Sequence, residues 1–456
     1  MIRILALLEG AAVCAAVWGS LAGWALTDGF AHALMPALTV AACAAVSFYY
    51  NDLYDLSVAR SLAAYAARLP QALAIMLVLW GGLQTVWPQV AVPVGSGLAS
   101  LLAACAAMIA LRCAVYAWMR GARRRRVLIL GGGAMAQRLR TQIEAQPHRR
   151  LRLAGIVESS SDVTEMDALV DSLRPHLIAV ALEDRRGRLP IASLVRARSL
   201  GIEVQDALEL DERLSGKIAI ETLRPGSLLF SSCLHTTPAD RAAARALSMA
   251  ASIAGLAVAL PVMALIAGAI RLDSKGPVLF RQARVGLRGR RFRMLKFRTM
   301  HPVEREDSVW ARDNDDRITR VGRVLRKFRL DELPQLFNIL RGDMNLVGPR
   351  PHPEVNYALF TQHIPHYRLR EAVRPGVTGW AQIRYAYANN LEEETEKMRY
   401  DLYYIKHTSF WFDLRILVDT VKVVLLGRES GASAITRTAA RGDAARRPMR
   451  GGDTAA

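Results

Sequence analysis

The sequence predicts a chain in three parts: a membrane α-helical bundle of four spans, an α/β Rossmann-like domain, and a basic domain entered through a re-entrant membrane helix. Three observations carry that prediction. Four long apolar stretches fill the first 120 residues. A strand, a glycine turn and a helix follow, and then more alternating strand and helix signals. A fifth apolar stretch, Ala246 to Ile270, runs directly into a dense basic block. Composition agrees, since 456 residues that are 52% hydrophobic also carry a formal net charge of +19. Apolar side chains segregated into membrane segments, with the basic ones elsewhere, reconcile the two figures.

The four stretches lie at about 4–26, 31–50, 61–87 and 91–119, each near the ~20 residues a helix needs to cross a bilayer. The first is no signal peptide, because it lacks a small-residue cleavage site and three more spans follow. Arg3, Arg60 and Arg68, and then Arg120 with Arg123 to Arg126, mark one side. The loops near Asp28 and Pro88 carry no Lys or Arg. The positive-inside rule puts both ends of residues 1–120 in the cytoplasm. Cys14, Cys43, Cys105 and Cys113 lie in apolar runs and Cys233 stands alone, which fits neither a disulfide framework nor a metal site.

Residues 121–235 form the second domain. "VLILGGGAMAQRLRTQI" reads as buried strand, glycine turn and helix. Gly131, Gly133 and Ala136 match G-x-G-x-x-A, which serves either a phosphate at the helix start or close packing. Glu158 ends the next strand, where a ribose-binding acid could sit. Residues 127–240 contain no tyrosine, so acid/base chemistry of the dehydrogenase or dehydratase kind is not expected here. A regulatory or docking role is.

The segment 246–270 is long enough to span, yet Arg271 to Arg298 then holds ten Lys or Arg and one acid, Asp273. Pro261 favours a kink or break, and Arg245 and Arg271 flank the segment on both sides. A helix–break–helix that returns to the cytoplasm is the expectation, with an ordinary kinked span as the alternative. Beyond it, "GPVLFRQARVGLRGRRFRMLKFRTM" alternates apolar and basic residues like a strand pair. Such a surface suits anionic lipid headgroups or a polyanion such as a nucleotide diphosphate, and membrane attachment argues against nucleic acid.

Then "LRKFRLDELPQLFNIL" places Arg326 and Arg329 just ahead of Asp331 and Glu332, with Pro334 opening a helix. An acid pair there either caps the helix or does chemistry. Capping needs one acid and leaves the arginines and "GDMNLVGPRP" without a reason.

Together with "VRPGVTGWAQI" and "YDLYYIKHTSFWFDLRIL", these motifs closely resemble the bacterial sugar transferases, the polyprenyl-phosphate hexose-1-phosphate transferases also known as monotopic phosphoglycosyl transferases. The resemblance covers about 241–428, and the parts ahead of it look like the large form of the family. It implies an α/β transferase domain that moves a phosphosugar from a UDP-sugar to polyprenyl (undecaprenyl) phosphate. UMP leaves, and exopolysaccharide or capsule synthesis is primed. Asp331 matches the family's nucleophile and Glu332 the second member of its dyad, with Mg²⁺ expected at the pair. Arg326 and Arg350 match phosphate-binding arginines, and Lys296 and Arg298 lie in the "KFR" motif. Gln382 and Arg384 fall in the nucleotide-sugar region, where Ile383, Tyr385, Ala386 and Tyr387 depart from the usual Asn-Gly continuation. The break at Pro261 agrees with the family's re-entrant helix, although Ser248 stands near a position that is often acidic.

The implied location is the bacterial inner membrane, multi-pass, with catalysis on the cytoplasmic face; a homodimer is left open. His352, His363 and His366 read as ordinary family sequence, not as a transition-metal site. Residues 429–456 are Arg-, Ala- and Gly-rich and expected to be disordered. Two other readings stand beside this one: a membrane-anchored nucleotide-sugar oxidoreductase or dehydratase, and a non-catalytic scaffold for glycan assembly.

Overall fold

The computed structural model describes residues 2–21, 30–54, 62–88, 94–121, 124–145, 151–158, 163–182, 189–220, 237–301, 317–385 and 388–426. Arg60, Arg123, Cys233, Ala386, Tyr387, the loop at Asp28 and the tail 429–456 lie outside the described residues. The chain divides into two compact units, Met1–Ala207 and Leu208–Ala456.

In the first unit the four apolar stretches are helices: α1 (Ile2–Ser20), α2 (Phe30–Tyr50), α3 (Leu62–Val86) and α4 (Val94–Gly121). Val17, Leu21, Phe48, Met76 and Met108 form their common core. Ser47 sits in that core and donates its hydroxyl to the Ala72 carbonyl, which removes the penalty of burying it. Among the described residues, Ala67–Val86 has the length and apolarity to cross a membrane, while α1, α2 and α4 carry shorter apolar runs.

The same unit contains a four-stranded parallel sheet in the order β2–β1–β3–β4, from β1 (Arg125–Leu130), β2 (Leu151–Val157), β3 (Leu177–Val180) and β4 (Glu203–Asp206). Leu128, Ile129, Leu130 and Ile178 are fully buried, as expected for strands covered on both faces. Helices α5 (Ala134–Ala145), α6 (Val163–Leu173) and α7 (Ile191–Ser199) connect the strands. At the turn after β1, Gly131 has φ +128° and donates its amide to the Val157 carbonyl. A β-carbon there would lie 2.6 Å from the Ala181 carbonyl oxygen. Close packing alone therefore requires that glycine.

Helix α8 (Ala207–Ser215) begins at the boundary and lies in the second unit from Leu208 onward, and α9 (Pro238–Asp273) follows it there. Thr237 caps α9 by accepting the Asp240 amide, and Pro238 sits at its first position, where no amide hydrogen is needed. The predicted break is absent: the helix runs uninterrupted through Pro261. A proline removes one ladder hydrogen bond, and packing on both sides of it holds the rest. Leu256, Met263, Ile266 and Ile270 pack with Phe297 and Leu325 in one core. Both ends of α9 are tied to the unit, for Arg245 donates to the Ile339 carbonyl at 2.7 Å and Asp273 accepts the Val321 amide at 3.1 Å. The basic block is the antiparallel pair β5 (Leu279–Val285) and β6 (Arg291–Phe297). Then follow α10 (Arg320–Lys327), α11 (Gln335–Arg341), β7 (Asn345–Val347), α12 (Glu354–His363), β8 (Gly376–Thr378), α13 (Trp380–Arg384), α14 (Leu391–His407) and α15 (Phe410–Leu426).

Candidate active site

Asp331 and Glu332 lie on a single 3-10 turn, Leu330–Glu332, between α10 and α11. Arg329 enters that turn at φ +54°, a left-handed conformation that costs a non-glycine residue about 1–2 kcal/mol. Such strain persists only where the surroundings impose it. Neither acid caps α11: its N-cap is Pro334, with no side-chain cap bond. The capping explanation therefore falls away.

The two carboxylates have different surroundings. Glu332 Oε1 receives Arg350 Nη2 at 2.7 Å and lies 3.8 Å from Lys296 Nζ. Burial opposes the charge on Glu332, yet Arg350 and then Lys296 outweigh it and hold the carboxyl at about 2. Asp331 makes no hydrogen bond or ion pair among the described residues. Burial raises its pKa, Lys296 pulls against that rise, and Glu332 adds to it. Arg326, at the end of α10, also acts on Asp331 by its charge.

Lys296 is pushed down to about 8 by burial and by Arg350, against the pull of Glu332. Arg284 on β5 is pushed down to about 9 by burial and then by Arg350. Its Nη1 is held by the Pro351 carbonyl at 2.7 Å. Three cations thus crowd around two carboxylates, and Lys296 and Arg284 are depressed first by burial and then by the charge of Arg350. An added polyanion would relieve that crowding.

The scaffold explains the aim. Asn338 of α11 is buried and accepts the Leu295 amide at 2.9 Å, while its Nδ2 donates to the Arg293 carbonyl at 2.8 Å. It pins the strand that carries Lys296 to the helix that follows the acid pair. The "GPRP" and "RPGVTGW" loops meet through the parallel pair β7–β8. Gly348, Gly376 and Gly379 interlock there: β-carbons at them would come within 2.4, 2.1 and 2.2 Å of backbone atoms. This contact delivers Gln382 to Arg350, Oε1 to Nη1 at 3.3 Å. Behind Arg350, buried Arg370 donates to its carbonyl at 2.8 Å and pairs with Asp401 at 2.9 Å.

The sequence pattern described as "Bacterial sugar transferase" matches residues 239–427. A UDP-glucose:undecaprenyl-phosphate glucose-1-phosphate transferase of Caulobacter vibrioides is 44% identical over 211 residues, covering 45% of this chain and 75% of the relative. The chain belongs to the bacterial sugar transferase family. It is also 38% identical to a UDP-N-acetylgalactosamine-undecaprenyl-phosphate N-acetylgalactosaminephosphotransferase of Aeromonas hydrophila, over 57% of this chain and 59% of the relative. An undecaprenyl-phosphate glucose phosphotransferase of Komagataeibacter xylinus is 34% identical over 67% of this chain and 60% of the relative. The chain thus spans about three fifths of the length of these last two relatives.

Within this sugar transferase domain the structure brings together Asp331, Glu332, Arg326, Arg350, Lys296 and Gln382. Arg298 goes elsewhere: its guanidinium donates to the Ser274 carbonyl at 2.7 Å and the Lys275 carbonyl at 3.0 Å, at the end of α9. Arg384 stacks on the Trp380 ring, with Cζ 4.2 Å from its centroid. Pro261 lies within α9, away from any break. His352 is buried against Phe360 and Tyr367, and burial drives its pKa well below the ordinary value. Sequence reasoning missed Arg284 and Asn338. Arg284 was one of many cations in "FRQARVGLRGRRFR", and nothing local sets it apart.

Among the described residues no three His, Cys, Asp or Glu side chains gather to hold a metal. The acid pair does suit magnesium, which takes few protein oxygens and completes its shell with phosphate and water. Both cations that touch Glu332 fall on Oε1, so Oε2 and the Asp331 carboxylate are available as donors.

Proposed function

We propose that this protein transfers a hexose-1-phosphate from a UDP-sugar to undecaprenyl phosphate, releasing UMP and priming a glycan repeat unit. The names of its relatives describe that chemistry for glucose and N-acetylgalactosamine donors. The observation that carries the reading is the unequal acid pair. Glu332 is committed to Arg350 and Lys296, while Asp331 beside it is unengaged and made more basic by burial.

In the proposed first step an Asp331 carboxylate oxygen bonds to the β-phosphorus. The bond from that phosphorus to the bridging oxygen breaks, and UMP leaves with the electron pair. In the second step an oxygen of undecaprenyl phosphate attacks the same phosphorus and restores the carboxylate. Splitting the displacement in two predicts ping-pong kinetics. Arg350, Lys296, Arg284 and Arg326 would hold the phosphate oxygens. Arginine suits this task because its planar fork is permanently charged. Mg²⁺ held by Asp331 and Glu332 would offset the repulsion between carboxylate and diphosphate.

Attachment to the cytoplasmic leaflet belongs to the same proposal. Helices α1 to α4 would span the inner membrane with both ends inside, and α9 would embed its apolar surface. Val258, Leu260, Val262 and Leu265 are exposed there, and the ties at Arg245 and Asp273 favour an attachment from one side.

The test uses membranes containing the full chain, undecaprenyl phosphate and a panel of UDP-sugars, with UMP as the readout. UMP release that depends on the lipid phosphate and disappears in Asp331→Ala is expected. Undiminished release in that variant overturns the assignment of the nucleophile.

A further inference from the structure

We infer that residues 212–220, which precede the matched family region, are a positioning strap for the donor-binding helix α13, acting through the Gly216–Trp380 hydrogen bond. The inference rests on the proposed function, because it assigns a role in the same reaction.

Helix α13 has only five residues, and no side-chain bond caps its start at Gly379. A helix that short does not hold itself. Its anchor is Trp380, which is 3% exposed and whose indole Nε1 donates to the Gly216 carbonyl at 2.8 Å. Gly216 reaches that position at φ +69°, and a β-carbon there would touch the indole at 3.4 Å. Two residues after Trp380 comes Gln382, the partner of Arg350. The strap thus reaches the phosphate-facing arginine through two hydrogen bonds, joined by the short stretch of backbone from Trp380 to Gln382.

Four further ties hold the strap to α14. Glu212 accepts from Lys406 Nζ at 2.7 Å and pairs with His407 Nε2 at 2.7 Å. Lys217 forms an ion pair with Glu396. The Ile218 amide donates to the Arg399 carbonyl at 3.0 Å. Ile220, 2% exposed, enters the same core as Val347, Trp380 and Met398. Val347 ends the strand that leads into the "GPRP" loop, so the strap shares one core with both loops of the site. The family match begins only at residue 239, whereas the compact unit begins at Leu208. The strap lies in that interval.

The experiment compares wild type with Gly216→Val, in the full chain and in detergent or nanodiscs. Amide hydrogen exchange is read over 379–385, where the Gln382 and Ile383 amides bond to the Gly379 carbonyl. Exchange there should quicken by roughly fivefold to tenfold, the weight of one hydrogen bond, while residues 151–157 stay unchanged. In parallel, kcat/KM for the UDP-sugar should fall by about tenfold, and Trp380→Phe should add little to Gly216→Val. If Gly216→Val does not fold, Lys217→Ala removes the ion pair to Glu396 without touching the backbone and should show the same pattern, weaker. Unchanged exchange at 379–385 in folded variants overturns the strap. So does a fall in turnover that tracks only the amount of folded protein. Should wild type release no UMP, the functional reading fails, and the exchange result still decides the strap.

Discussion

Arg350 Nη2 stands 2.7 Å from Glu332 Oε1, and its other terminal nitrogen lies 3.3 Å from Gln382 Oε1. One guanidinium therefore joins the acid turn to the "GWAQ" loop. Lysine would keep the charge and lose the fork. Arg350→Lys should lower kcat/KM for the UDP-sugar by about two orders of magnitude. A variant within a factor of about two of wild type would remove Arg350 from the site.

Glu332 counters the surrounding cations. Glu332→Gln removes one negative charge and raises the net charge of the site by one. UMP should then bind several-fold more tightly while turnover falls, because attraction to an anion grows as the opposing carboxylate is lost. Calorimetric binding of UMP in the absence of Mg²⁺ measures this, so that loss of a proposed metal ligand does not enter. Weaker UMP binding in Glu332→Gln would contradict the charge argument.

Lys296 sets a pH limit. Its folded value of about 8 lies below the ordinary 10.5. Between those values the unfolded chain binds the extra proton, so the Lys296 contribution to stability improves as pH rises through the window. Activity should move the other way, falling above about pH 8 as the cation is lost. Glu332 behaves as a depressed acid: its contribution is present above 4.5 and is lost as pH falls toward about 2. Rate and thermal melting measured together from pH 7 to 10 check the Lys296 claim. A parallel fall in both would mean unfolding.

Asn338 is the clamp between β6 and α11. Asn338→Ala leaves the Leu295 amide and the Arg293 carbonyl without their partner, at a cost of about 2–3 kcal/mol. The catalytic unit should melt at a lower temperature, and kcat should fall as Lys296 loses its register. An unchanged melting temperature would show that water replaces the clamp.

Local chemistry in the sequence made much of this legible. The acid pair, Arg326, Arg350, Lys296 and Gln382 converge, and the basic block is the expected antiparallel pair. Arg298 misled because it shares a motif with Lys296 and sits two residues away, which on a strand means the same face. The strand ends at Phe297, however, and the chain turns Arg298 toward the carbonyls at the end of α9. Pro261 misled for a related reason. Local propensity favours a break, but contacts from distant residues keep α9 whole. The Arg284–Pro351 and Gly216–Trp380 hydrogen bonds reach across 67 and 164 residues, and no local window contains them.

The interlocked glycines bear on attempts to change the donor. Gly348 belongs to one loop and Gly376 and Gly379 to the other, with backbone against backbone at each meeting. A graft that imports either loop from a relative would bring a curvature cut for a different mate. The two behave as a single cassette, to be exchanged whole, together with the indole at 380 that seats it.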